Sequence, residues 1–133
     1  MSRPLPLEGI TVVDLGQIYN GPYCGLQLGF MGARVLKIEP PEGDVVRRRK
    51  REVEPYPLVM LNSNKESVVL DLKQPRGKAI FLDLVAKADV LIQNLAPGAA
   101  ERAGFGSAAM RAAHRKLITV DISGYGDHGP YRN

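Results

Sequence analysis

The chain alternates short apolar runs with segments whose apolar residues recur at helical spacing. GITVVDL, carrying Ile10, Val12, Val13 and Leu15, predicts a first strand of the nearly continuous apolar kind that suits a buried parallel sheet. Pro22 stands where a first helical residue is expected, since its fixed φ is already helical and it has no N–H to lose. That helix should run to Met31 and stop at Gly32. Gln27 is almost its only polar side chain, which predicts burial on most sides. ARVLKIE follows as a second strand, and PLVMLNSNKESVVLDL gives two apolar stretches around a polar turn, with Asn62 and Asn64 as turn formers. From Pro75 a helix is expected with Ile80, Phe81, Leu84, Val85 and Ala88 on one face. DVLIQN is a third clear strand. Pro97 and Gly98 open a turn and a short helix, and Ser107 is placed to cap another running through Arg115. LITVDIS is the last strand and leads into the loop GYGDHGPYRN.

Strands alternating with helices through short loops predict an α/β fold, an open parallel sheet with helices on both faces. Residues 1–133 form a single unit, interrupted by a Pro-containing basic excursion over 40–57. The sequence stops in a loop directly after a strand, so it is expected to be the front part of a larger domain.

Composition adds little until charge is considered. Hydrophobic content of 44% with 24% charged residues is ordinary for a globular chain. The net charge of +4 is local, because RRRKR at Arg47–Arg51 holds five of the 18 basic residues and leaves 13 against 14 acidic ones. A nucleic-acid-coating surface is therefore not expected. One cysteine, Cys24, rules out an internal disulfide framework and fits a reducing cytoplasm. No apolar run has the length needed to cross a bilayer.

The first strand-loop-helix-strand unit resembles a nucleotide-binding unit with the wrong glycines. A dinucleotide site needs Gly-x-Gly-x-x-Gly, whereas Gly16 and Gly21 lie five apart, although Glu39 stands 18 residues after Gly21 where a ribose-binding acid would be. A phosphate loop needs Gly-Lys-Ser/Thr, and Pro22-Tyr23 occupy that place. Gly21, Gly25 and Gly29, with Ala33 beyond, repeat every four residues and predict a helix edge that another backbone approaches.

Five stretches, LEGITVVDL, GPYCGLQLGFMGARVLKIEPPEGD, NSNKESVVLDLK, ADVLIQNLAPGAAERAGF and LITVDISGYGDHGPYR, together resemble the family III CoA-transferases, in family order and over nearly the whole chain. The resemblance implies the front part of a Rossmann-like large domain that holds coenzyme A, in a homodimer of interlocked rings. It implies CoA contacts at Gln17, Ile18, Tyr19 and Asn20 in the first loop and at Leu70, Asp71, Leu72 and Lys73 in LDLK. Asn94, Leu95, Ala96 and Arg102 complete the implied set. Lys73 or Arg102 would pair the phosphates of CoA, and apolar loop residues would pack on its adenine. The implied ligands are acyl-CoA and a carboxylic acid as substrates, with no tightly bound cofactor, no metal, no nucleic acid and no membrane. This chain departs from many relatives by having Gln17 and Asn20 where they carry a basic residue and an alanine.

The resemblance also implies CoA exchange through an aspartyl covalent intermediate, with the nucleophile after the Gly-Tyr-Gly loop and so beyond Asn133. The isolated chain is then expected to be inactive. The alternatives are the racemase branch of the family, which uses a His-Asp pair also beyond Asn133, and a non-catalytic module that binds CoA or a partner. Asp127 and His128 are adjacent in the last loop but are expected to be solvated. Asp14, Asp71 and Asp121 are expected to be structural, His114 to lie on a helix surface, and Cys24 to be packing.

Overall fold

The computed structural model describes residues 3–47, 56–126 and 128–131. Their five strands, β1 (Thr11–Asp14), β2 (Arg34–Glu39), β3 (Glu66–Val69), β4 (Val90–Gln93) and β5 (Ile118–Asp121), form one sheet in the order β3-β2-β1-β4-β5. Every neighbouring pair is parallel. The helices are α1 (Asn20–Phe30), α2 (Tyr56–Asn62), α3 (Pro75–Ala86), α4 (Ala99–Ala103) and α5 (Ser107–Ala113). The α/β expectation therefore holds, down to an open all-parallel sheet flanked by helices.

Strand alternation sorts the core into two clusters. Val13, Leu15, Ile38 and Leu91 point to the face where Phe81 and Val85 of α3 pack with Ala100, Phe105 and Met110. Phe81 is fully buried and meets Phe105 edge-on with ring centroids 5.0 Å apart. Val12, Val35, Val90 and Ile92 point to the other face, against Cys24 and Leu28 of α1. At the sheet edge, Arg34 of β2 and Glu66 of β3 form an exposed two-point ion pair, with Nε–Oε1 at 2.7 Å and a second bond at 2.9 Å. Exposed pairs contribute little. Arg34→Ala should accordingly leave the thermal unfolding midpoint within experimental scatter, as differential scanning fluorimetry would read.

Several expectations need correcting. Pro22 is the third residue of α1 rather than the first. Burial on most sides fails too, because only the face of Gly21, Pro22, Gly25 and Leu26 is buried, while Tyr23 and Phe30 are 56% and 61% exposed. An apolar composition makes burial favourable but does not supply a second surface to pack against. Ser107 does not cap α5. Gly106 is the N-cap, the helix ends at Ala113, and the Ser107 hydroxyl instead donates to Asp121 Oδ1 at 2.6 Å. The polar turn after α2 is also used differently. Asn62 Nδ2 donates to Leu58 O within its helix, and Asn64 Nδ2 donates across to Leu26 O of α1. Helix α1 does end as expected, with Gly32 at φ +103. The excursion over 40–57 is described up to residue 47 and again from Tyr56. The rest of the basic run, 48–51, lies outside the described residues, as does Asp127.

Candidate functional site at the carboxyl end of the sheet

In the order β3-β2-β1-β4-β5, consecutive strands leave β1 in opposite directions, so the loops after β1 and β4 part at the sheet's switch point. A crevice opens there because the following helices go to different sides. The first loop is drawn tight at this point. A Cβ on Gly16 would stand 2.6 Å from the Gly21 carbonyl carbon, so Gly16 permits the close return of the chain. Ile18 at the loop tip has φ +66, a strained conformation for a β-branched residue.

Among the described residues, two sizeable clefts lie at this end of the sheet. The first encloses about 400 Å³. Its walls are Leu15 and Gln17 after β1, Pro40 and Glu42 after β2, Leu70 to Lys73 after β3, and Leu95 after β4. The fold thus brings together six of the residues named from sequence, Gln17, Leu70, Asp71, Leu72, Lys73 and Leu95. Lys73 is exposed, and its N–H bonds Asp71 Oδ1 at 3.0 Å. The second cleft, of about 420 Å³, shares Leu95 with the first and adds Ala96, Pro97 and Gly98 together with Glu101, Asp121 and Ser123. Arg102 is exposed in the last turn of α4, beside this second cleft. A Cβ on Gly98 would stand 2.7 Å from its Nη1. Ile18 and Tyr19 are exposed at the loop tip, and Asn20 is the first residue of α1. Asn94 lies at the junction, where its side chain bonds the Gln17 backbone in both directions, accepting at 2.7 Å and donating at 2.8 Å.

Beneath the first loop lies a layer of buried charge that sequence reasoning missed. Asp14 and Lys37 are register partners on β1 and β2, and Asp14, Lys37 and Glu39 fall on the face covered by α1. Asp14 is fully buried, accepting from Gly16 N–H at 2.7 Å and from Lys65 Nζ at 2.8 Å. Lys65 also donates to Pro22 O at 2.7 Å. Lys37 donates to Gly16 O at 2.7 Å and pairs with Asp44 Oδ2 at 3.1 Å, with both side chains buried. Glu39 takes Arg47 at 3.2 Å and the Asp44 N–H at 3.1 Å. Glu39 is therefore a buried structural acid, and Arg47 turns inward from the head of the basic run. Charges of both signs are paired throughout this layer, as burial in low dielectric requires. Burial pushes the Lys65 ammonium below its ordinary range, while Asp14 pulls it back up.

The glycine repeat of α1 serves this layer. A Cβ on Gly25 would stand 2.6 Å from Asp14 Oδ2 and 3.1 Å from Lys65 Nζ, and one on Gly29 would stand 2.5 Å from Asn64 Nδ2. The bare edge was expected to receive another backbone. At Gly21 it does, with Gly16 Cα 2.5 Å from the Cβ position, but at Gly25 and Gly29 it receives polar side chains. Cys24 is half-buried beside the same layer. Burial first, and then the Asp14 carboxylate, pushes its thiol up, which keeps it protonated and agrees with a packing role. His114 is half-buried at the end of α5. Among the described residues no group of His, Cys, Asp and Glu could hold a metal ion, and no helix is long and apolar enough to cross a membrane.

The chain resembles known proteins across its length. The succinyl-CoA–L-malate CoA-transferase alpha subunit of Chloroflexus aurantiacus is 45% identical over 96% of the chain. The formyl-CoA:oxalate CoA-transferase of Streptomyces avermitilis is 39% identical over 94% of it. The chain spans 31% of the length of each of these curated relatives. Among solved structures, a CAIB/BAIF family protein from Brucella suis superposes with a TM-score of 0.89 at 34% identity, covering 98% of this chain and 36% of that one. Rv3272 from Mycobacterium tuberculosis gives 0.88 at 34% identity, covering 96% and 36%. The model of CoA-transferase family III matches residues 7–133, and the chain belongs to that family.

Proposed function

We propose that this chain supplies the CoA-holding wall of an enzyme that moves CoA between an acyl-CoA thioester and a carboxylic acid. The reading rests above all on the first cleft, where Gln17, the Leu70–Lys73 segment and Leu95 converge at the carboxyl end of the sheet. CoA suits such a place, since the cleft offers leucines for an adenine and one flexible ammonium, Lys73, for a phosphate. The proposed chemistry is covalent. An aspartate carboxylate attacks the thioester carbonyl and releases CoA thiolate, leaving a mixed anhydride. The thiolate then attacks the enzyme's carbonyl of that anhydride, freeing the first acid and leaving CoA as an enzyme thioester, which the acceptor carboxylate resolves by the same two steps in reverse. We take this aspartate to follow the Gly-Tyr-Gly loop, a reading that gives the residues treated above the role of binding and orienting rather than reacting. The named relatives are transferases, which gives the racemase branch no support. We propose further that the whole protein is a cytoplasmic, interlocked homodimer, and light scattering on the purified protein would test its dimeric state.

Isothermal titration with CoA and with NAD tests the ligand, and tighter NAD binding would overturn the reading. Arg102→Ala should weaken CoA binding by about 1.5–3 kcal/mol, the loss of one charge-assisted bond to phosphate. Its thermal midpoint should stay unchanged, because the side chain is exposed. An unaltered affinity would remove Arg102 from the site.

A further inference from the structure

The four polar backbone groups of Gly16 and Gln17 are all held by side chains. Gly16 N–H is taken by Asp14 of β1 and Gly16 O by Lys37 of β2. Gln17 N–H and Gln17 O are both taken by Asn94, which follows β4. A loop of this kind would otherwise relax toward water. Instead it is gripped from three strands, and it carries the strained Ile18 immediately afterwards. We infer that Asn94 acts as a positioning residue, a two-point clamp whose amide fixes the Gln17 backbone and so sets the wall of the CoA cleft through Gln17. This rests on the reading of the cleft given above.

The clamp requires a donor and an acceptor on one short, planar side chain. Gln17 N–H must face an oxygen and Gln17 O must face an N–H, so the orientation of the Asn94 amide is fixed by its partners. Its role is indirect, since both polar ends of the side chain are engaged by backbone. Gly21 of α1 closes over it, with a Cβ position 3.3 Å from the amide carbon. Charged groups on the surrounding elements are already engaged. Asp14 is bound by Gly16 and Lys65, Lys37 is paired with Asp44, and Asp121 of β5 receives Ser107 and Gln93.

Asn94→Asp distinguishes a clamp from mere packing. The shape is kept, but an ionised carboxyl sets an oxygen against Gln17 O, whereas a protonated one can donate there and rebuild the pair. Gln17 O opposes the charged form and raises the pKa of the new carboxyl. The CoA affinity of Asn94→Asp, divided by that of the wild type at the same pH, should therefore be down roughly tenfold at pH 8 and recover to within about threefold at pH 5. Asn94→Ala should be weaker by one factor at both pH values. The Gln17 amide resonance of Asn94→Asp should move toward its wild-type position over the same acidification. A pH-independent ratio together with an unmoved Gln17 resonance would overturn the clamp. If the wild type binds no CoA, the proposed function falls, and the Gln17 resonance alone then decides the clamp.

Discussion

Lys65→Met should lower folding stability by about 3–5 kcal/mol, the usual result of removing one partner of a buried ion pair. The lysine side chain is 1% exposed and Asp14 is fully buried, so no water takes over when the ammonium is removed. Methionine keeps most of the stem's volume, which confines the loss to the orphaned carboxylate and to Pro22 O, which loses its donor. Adding Asp14→Asn should recover part of the loss, because the amide oxygen still accepts from Gly16 N–H and carries no charge to strand. Urea unfolding of the two variants would show it, and a loss under about 1 kcal/mol for Lys65→Met would mean that the pair behaves as a solvated one. The wild type should also carry a pH signature. Burial holds the Lys65 ammonium below its reference value of 10.5, so the folded chain gives up this proton at a lower pH than the unfolded chain does. Between the two values the unfolded state binds more protons, and unfolding free energy rises with pH. That contribution should vanish in Lys65→Met.

What could be read from sequence follows from which signals are local. Strands β1, β2 and β4 lie in the middle of a parallel sheet, need apolar residues on both faces, and so stand out as continuous apolar runs. Strand β3 is an edge, with Glu66, Ser67 and Val69 exposed, and its run is correspondingly weak. The capping expected of Ser107 failed because a hydroxyl one residue into the helix found Asp121 of β5, a tertiary partner that local sequence does not disclose. The site shows the same division. Of the residues assigned by resemblance, Gln17, Leu70 to Lys73 and Leu95 meet in one cleft because parallel strands bring the loops after β1, β3 and β4 to one end of the sheet. Pro40 and Glu42, also part of its wall, lie in a stretch that carries the resemblance but were assigned no contact. The buried charge layer did leave a signal in VLKIE, where Lys37 and Glu39 interrupt a strand that is otherwise apolar. A charged side chain in such a run needs a partner. The partners of Lys37 lie seven residues on, at Asp44, and across the sheet, at Gly16 O, and spacing alone could not identify them.

Gly25→Ala should destabilise the chain by about 2–4 kcal/mol, against the direction that helix propensity predicts. In an exposed helix interior, replacing glycine with alanine is worth about 0.8–1 kcal/mol in the stabilising direction. Here the new methyl group would stand 2.6 Å from Asp14 Oδ2 and 3.1 Å from Lys65 Nζ. Asp14 cannot swing away, because it is a short side chain on a central strand whose other oxygen is committed to Gly16 N–H. Helix α1 would have to rise from the sheet, or the Lys65 bond would have to lengthen. Both weaken a buried charge pair, and lifting α1 also opens the return of the chain at Gly16 and Gly21. A fall in CoA affinity should therefore accompany the fall in stability, although residue 25 lies outside the cleft. The same substitution in a Lys65→Met background separates the causes, since mutations on one shared network are not additive. If the ion pair is what the glycine accommodates, Gly25→Ala should be less damaging there, as unfolding midpoints of the four proteins of the cycle would show. Equal damage in both backgrounds would assign the glycine to backbone approach instead.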